Sequence, residues 1–303
     1  MKFEFTKYRR IYYAFSGMLF LLSLGAVLVF GILPGIEFAG GSVTEVEYPQ
    51  ERPTIEEITE KLEGLGLREV SVQPLGEKGV LIRTESADEE THSQIMSVLE
   101  GAEERQFESI GPAVGDELRN MSIIAILVAS LLVVIYIAIS FREEDGSVSS
   151  TKYGIIATGI AFFHDVLIVI GVFALLGHLY GVQITIPIAV ALLTTLGYSI
   201  NDTVVIFDRI RENLRKNKSG EDLKVIVDKS LNSTLGRSLG TSFTTLLVLF
   251  SLLFFGGATL YYFVLALILG VILGTYSSIF LAGSLVLDWN SLTNRKKEGI
   301  NHR

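Results

Sequence analysis

The residues of this chain that could do chemistry are charges set inside apolar tracts. Asp202 stands in the polar run Tyr198, Ser199, Asn201, Asp202, Thr203, within the otherwise uncharged tract Val182–Phe207. It lies roughly 8 Å from the end of that tract at the helical rise of about 1.5 Å per residue. His164 and Asp165 are adjacent in a second tract, Tyr153–Leu176, near its midpoint. A carboxylate at the centre of a membrane helix costs about 2.5–3.5 kcal/mol on insertion scales, so it turns to the bundle interior and takes a partner. Arg237 falls at a comparable depth if the next helix begins within Leu223–Leu235. Opposite charges at matched depth on consecutive helices make a candidate pair.

Two chemistries fit such a pair. The plain one is a structural ion pair, or a charge that snorkels to the rim. The other is a proton carrier. Beside Arg237 the carboxylate form of Asp202 is favoured; without that partner in a dry bundle the protonated form is favoured. One group could then load on one side and release on the other. His164 and Asp165 read equally well as an interior hydrogen-bonded pair or as a relay, and Asn201 as a supporting neighbour of Asp202. A lone carboxylate with few oxygens nearby fits H⁺ as coupling ion better than Na⁺.

Other chemistries have no residues to run on. There is no G-x-x-x-x-G-K-[ST] loop for ATP, no H-E-x-x-H and no G-x-S-x-G elbow. The His number 4 and are scattered, and Cys is 0, which removes thiol catalysis, disulfides and Cys-metal sites. No cofactor is expected, and energy has to come from an ion gradient or a partner. Three N-x-[ST] sequons, at Asn120, Asn201 and Asn232, abut or lie within apolar or inner segments and read as chance.

The elements that must hold these charges are membrane helices. Of 303 residues 49% are hydrophobic, and mean hydropathy is +0.47. The apolar residues are blocked into six tracts: Ile11–Leu33, Met121–Phe141, Tyr153–Leu176, Val182–Phe207, Leu239–Phe255 and Tyr261–Leu287. Each is close to the ~20 residues that cross a ~30 Å hydrocarbon core. The first is longer than the roughly 7–15 residues of a signal-peptide core and reads as an uncleaved helix. Pro187 fits as a tolerated kink near one end of the fourth tract.

Charge sets the orientation. Residues 35–120 carry 20 acids and 7 bases, whereas the rest carries 13 acids and 18 bases. The bases cluster at the N-terminus, at Arg142 and Lys152, between Arg209 and Lys229, and in the tail Arg295, Lys296, Lys297, Arg303. These fall on one side of a six-span layout, so both termini are cytoplasmic and the acidic domain is outside. An acidic domain is a poor partner for nucleic acid.

The organisation expected is residues 1–34 for the N-terminus and first span, 35–120 for an outer domain, and 121–303 for the remaining spans. In the outer domain Ser42–Tyr48 alternates as a strand, and Thr54–Leu65 has apolar residues at helical spacing. Glu69–Gln73 and Val80–Thr84 are strands around a Gly76–Gly79 turn, Ala87–Leu99 a helix and Gln106–Ile110 a strand. The order β-α-β-β-α-β is the ferredoxin-like pattern. Gly40 and Gly41 form at minimum a turn into the first strand, with a hinge between membrane and outer domain as the second reading. Glu221–Leu235 reads as an amphipathic helix on the inner membrane surface, about residues 221–235, running into the fifth span.

Several segments also resemble a known family. Gly35-Ile-Glu-Phe-Ala-Gly-Gly41 is similar to the G-I-D-F-x-G-G signature that follows the first span in the SecD/SecF family of bacterial protein export. Phe163-His-Asp-Val-Leu167, the run Gly197 to Glu212 containing Asn201-Asp202-Thr203, and the run Leu231 to Ser242 resemble its third-, fourth- and fifth-span motifs. The departures are Glu37 where Asp is usual and Ser238 where Thr is frequent. The resemblance implies half of an RND-superfamily unit, a polytopic α-helical membrane protein with six transmembrane helices and one ferredoxin-like periplasmic domain. It implies a bacterial inner-membrane location and a SecD partner. It further implies use of the proton-motive force to help translocate and release unfolded polypeptide after SecA and SecYEG. By motif position, Asp202 and Arg237 would be the proton-path residues, and the chain would not be an enzyme. Two rivals remain: a half-unit transporting a small solute or lipid, and a purely structural membrane subunit in which Asp202 and Arg237 are a brace.

Overall fold

The computed structural model describes residues 3–67, 70–85, 88–140, 159–217 and 220–290. The bases at Arg142, Lys152 and Lys218, the tail from Arg295, and the start of the tract at Tyr153 lie outside them. In chain order the elements are α1 (Arg9–Phe30), β1 (Gly41–Glu47), α2 (Ile55–Glu63), β2 (Ser71–Leu75), β3 (Gly79–Thr84), α3 (Glu89–Val98), β4 (Glu103–Ile110), α4 (Pro112–Ser140), α5 (Leu167–Tyr180), α6 (Ile186–Lys216), α7 (Leu223–Phe255) and α8 (Ala258–Tyr276). The described residues gather into two compact units. One draws on Phe30–Leu127 and Phe173–Ala189, the other on Met1–Val29, Val128–Val172 and Val190–Arg303.

The first unit is built on a sheet of order β2-β3-β1-β4, antiparallel throughout. Alternation along β1 buries Ser42, Thr44 and Val46 and turns Glu45 and Glu47 the other way. Val80 and Ile82 stand opposite Val46 and Thr44 in register, and Ile58, Leu62, Ile95 and Leu99 close the core from α2 and α3. The helices start where their caps dictate. Thr54 and Glu57 make a reciprocal capping box, and Asp88 accepts from the Thr91 N–H at 2.7 Å. Each cap is worth about 1 kcal/mol. The edge strand β4 is largely exposed and carries Glu103, Glu104, Arg105 and Glu108, charges that discourage pairing with other chains. At Glu45, burial raises the carboxyl above the usual carboxylate range; Glu47 adds to this and Arg105 opposes it.

The chain enters β1 through Gly40 and Gly41, at φ 80° and 117°. A Cβ on Gly40 would sit 3.1 Å from Pro112 Cα, and one on Gly41 would strike the Thr84 carbonyl. Both positions are therefore closed to other residues by backbone conformation and by space. This unit also extends beyond residues 35–120. The Ile184 N–H donates to Leu33 O at 2.7 Å, the Gly35 N–H to Ile184 O at 2.8 Å, and Gln73 Nε2 to Gly181 O at 2.6 Å. The turn after α5 is thus joined by hydrogen bonds to both the exit of α1 and the sheet.

In the second unit helices dominate. Among the described residues five helices are long and apolar enough to cross a membrane: Phe5–Phe30, Phe163–Tyr180, Ile186–Lys216, Leu223–Phe255 and Leu260–Asn290. The tract expected over Met121–Phe141 lies in the 29-residue α4 as far as Ser140, and Phe141 is outside the described residues. Two features depart from expectation. The amphipathic helix expected near 221–235 runs on into the fifth span as the first part of the 33-residue α7, but it is not laid on a surface. Its apolar side packs on protein, with Val227 and Leu231 against Phe5, Ile206, Phe207, Ile210 and Val286. No proline interrupts the run from Leu223 to Phe255, so the helix continues. Second, Ile160–Val166 and Ser277–Ala282 are π-helical, the one leading into α5 and the other continuing α8.

The N-terminal segment is clipped to α7. Asp228 accepts the Thr6 N–H at 2.9 Å and the Thr6 hydroxyl at 2.7 Å, while Asn232 accepts the Phe3 N–H at 2.9 Å and donates to Phe3 O at 2.8 Å.

Candidate functional site

The site is a seam between α6, α7 and α8. Gly270 and Gly274 on α8 lie against Thr195 and Ser199 on α6, one turn apart on each helix. A Cβ on Gly274 would be 2.9 Å from Ser199 Cβ, and one on Gly270 would overlap the Thr195 side chain. Small residues four apart allow helix backbones to approach closely in a bilayer, where burying another leucine gains nothing over lipid. The close approach brings hydroxyl groups from neighbouring helices within hydrogen-bond reach.

Asp165 sits wholly buried at one side of this seam, at the end of the first π-helical segment. Its Oδ2 accepts from Ser199 Oγ at 2.5 Å and from Ser277 Oγ at 2.9 Å, and its Oδ1 is 2.8 Å from His164 Nδ1. Three donors satisfy the carboxylate when His164 carries its hydrogen on Nδ1. The other ring nitrogen, Nε2, is buried without a partner. Tyr276 stacks over the ring at 6.3 Å and shares a 3.1 Å hydrogen bond with Ser16.

One turn beyond Ser199 on α6 is Asp202, 8% exposed. Ser238 Oγ donates to its Oδ1 at 2.6 Å; Oδ2 is buried and has no partner. Arg237, expected as the partner, is exposed, and the hydrogen bond to Asp202 comes from its neighbour Ser238. Adjacent residues on a helix point in different directions, and Ser238 takes the inward position. Asn201 is exposed and turned from the seam. Gly40 and Gly41 belong to the other unit.

Further hydroxyls extend the seam. Thr203 Oγ1 and Ser278 Oγ are 2.7 Å apart, and Ser278 also donates to the Ser199 carbonyl at 3.2 Å. Ser242 Oγ donates to Ser238 O at 2.8 Å, accepts from the Tyr198 hydroxyl at 3.0 Å and meets Thr275 Oγ1 at 2.6 Å. The sequence reading missed Ser238, Ser242, Thr275, Ser277 and Ser278 as members of the site. Ser238 and Ser242, four apart in an apolar helix, were the available signal. Such an arrangement can hold a proton on a carboxylate and reorient hydroxyl hydrogens around it.

Comparison with known proteins follows this geometry. Residues 91–292 match the family model described as protein export membrane protein SecD/SecF, C-terminal. The protein translocase subunit SecF of Thermobaculum terrenum is 40% identical over 95% of this chain and 94% of its own length. The chain belongs to the SecD/SecF family of protein export membrane proteins. Within that family it is similar along nearly its full length to SecF subunits; that of Haemophilus influenzae is 36% identical over 94% of this chain and 85% of its own. The crystal structure of SecDF from Thermus thermophilus, a translocon-associated membrane protein, superposes with a TM-score of 0.84 at 34% identity over 96% of this chain. This chain spans 39% of that SecDF chain. The SecD/SecF match encloses Asp165, Asp202, Arg237 and Ser277 alike.

Proposed function

We propose that this chain is the SecF subunit of an accessory protein-export complex in the bacterial inner membrane. With a SecD chain it draws on the proton-motive force to promote late translocation and release of polypeptide through SecYEG, after SecA has begun the work. It uses six spans, keeps both termini in the cytoplasm and holds a ferredoxin-like domain outside. The α2/α3-covered sheet of order β2-β3-β1-β4 supports that domain assignment. The role is transport coupling rather than enzymatic turnover, with H⁺ as the ion.

The observation that carries this reading is Asp202. It is a buried carboxylate inside a membrane-spanning helix, with one oxygen bonded to Ser238 and the other open. An intramembrane carboxylate so placed is costly and marks an ion pathway or proton relay by default. Arg237, exposed beside Ser238, supplies a charge that a movement of α7 could bring toward or away from it. One elementary charge crossing 100 mV is worth about 2.3 kcal/mol, enough per proton for a modest conformational step. Asp202→Asn, reconstituted with SecD in vesicles under an imposed pH gradient, is expected to lose proton flux while the complex still assembles. Undiminished flux would end the proton-carrier reading and leave a membrane scaffold.

A further inference from the structure

We propose that His164 and Asp165 form a second proton-binding site, which loads at His164 Nε2 and exchanges with Asp202 through Ser199. This rests on the proton-carrier reading of Asp202. Three observations support it independently of sequence motifs.

The first is hydrogen-bond accounting. Asp165 has its full set of donors from His164, Ser199 and Ser277. No Lys or Arg is paired with it, so the carboxylate charge is balanced by hydrogen bonds alone. A brace of this kind needs one donor from position 164, and a neutral amide would supply it. It does not need a second nitrogen buried without a partner, yet among the described residues His164 Nε2 is in that condition. Buried polar atoms without partners are rare enough in folded proteins to need a cause. A proton taken up at Nε2 supplies one. The neutral imidazole becomes imidazolium, Asp165 stays a carboxylate 2.8 Å from Nδ1, and the pair goes from one negative charge to none. On exchange with Asp202 the Nδ1–H bond breaks as Asp165 takes that proton, and Asp165 hands a proton on to Ser199, so the carboxylate is protonated only in passing.

Second, the backbone on both sides of the pair is π-helical, over Ile160–Val166 and Ser277–Ala282. Such segments are uncommon and concentrate at functional sites. Here the second places Ser277 on Asp165 and Ser278 on α6 together. Third, Ser199 is bonded to Asp165 and lies three residues before Asp202 on α6, on a shared helix face. Its hydroxyl can accept a proton from one side as it gives its own to the other. Asp202 Oδ2 is the acceptor left open on that face. Among the described residues, the ionisable group stacked on the ring is Tyr276 on α8, whose hydroxyl donates to the Tyr12 carbonyl on α1.

The deciding variant is His164→Asn. Its amide nitrogen can replace Nδ1 as donor to Asp165, so the brace survives, but nothing replaces Nε2. In the SecD co-reconstituted complex, His164→Asn is expected to lower proton flux at least tenfold with an unchanged melting temperature. The part of the imidazole bands that His164 adds to those of His92, His178 and His302 in a pH-jump infrared difference spectrum should vanish with it. Ser199→Ala should lower flux while keeping those bands. Full flux in His164→Asn, with flux abolished in Asp202→Asn, overturns this proposal and leaves the Asp202 reading standing. Full flux in Asp202→Asn overturns both. Imidazole bands identical in wild type and His164→Asn overturn the second site directly.

Discussion

The two units solve burial in opposite ways. The sheet unit packs Val46, Ile58, Leu62, Val80, Ile82 and Ile95 into an apolar core. The helical unit fills its α6–α8 seam with Thr195, Ser199, Thr203, Ser277 and Ser278, all nearly inaccessible, and with glycines that let them in. In water, burying apolar area is worth roughly 25 cal/mol per Å². In hydrocarbon that drive is missing between helices, and close backbone approach with hydroxyl hydrogen bonds takes its place. The difference teaches where polarity can be put to use. A sheet core of this size is spoiled by one unpaired polar atom, whereas the seam is already a network into which a carboxylate fits.

This contrast can be broken or sharpened by substitution. The largest effect belongs to Gly270→Leu, because a Cβ alone already overlaps Thr195. The expected outcome is loss of the folded helical unit, read as loss of a monodisperse complex in detergent. A well-folded variant would show that the seam is loose and the contrast overdrawn. Ile82→Ala should cost about 2–5 kcal/mol, as for other fully buried large-to-small changes. It is expected to appear as faster hydrogen exchange at β1 and β3 amides. Ser242→Ala removes the partner of the Tyr198 hydroxyl. Interhelical hydrogen bonds in membranes average about 0.6 kcal/mol, so its melting temperature should fall only slightly. A cost equal to that of Ile82→Ala would erase the distinction between the two units.

The smallest effect is at Glu45. Its carboxyl is raised in the folded state, so the folded form binds the proton more tightly than the unfolded form. Stability is therefore fully present below the unfolded value and declines as pH rises through the folded one. Glu45 is only partly buried, and solvent screening keeps the effect below about 1 kcal/mol. Glu45→Gln should make β1 amide protection independent of pH across the carboxylate range, with slightly more protection than wild type at neutral pH.

Legibility in the sequence followed the same division. The strands and helices of the sheet unit were readable because water enforces alternation: SVTEVEY spelled out β1, and apolar residues at helical spacing over Thr54–Leu65 marked α2. The carboxylates in the bundle were readable because charge is conspicuous in an apolar tract. The seam was not. Serine and threonine are nearly neutral in hydropathy, and the contacts that matter join residues far apart, 112 positions in the case of Ser277 and Asp165. The expected pairing of Asp202 with Arg237 missed by one residue, because depth along a helix can be counted from sequence but its rotation cannot. The π-helical segments left no compositional trace.

The clip between Thr6 and Asp228 carries a consequence for the order of events during synthesis. The two residues are 222 positions apart. At about 5–20 residues per second, a ribosome needs roughly 10–45 s to travel from one to the other. The first span enters the membrane early, yet the hydrogen bonds that fix its leading end have no partners until the beginning of α7 has emerged. Of the two partners, the one made earlier is therefore left unfastened until the later one emerges. Until then α1 is free to be held, or exchanged, by whatever membrane machinery is inserting its successors.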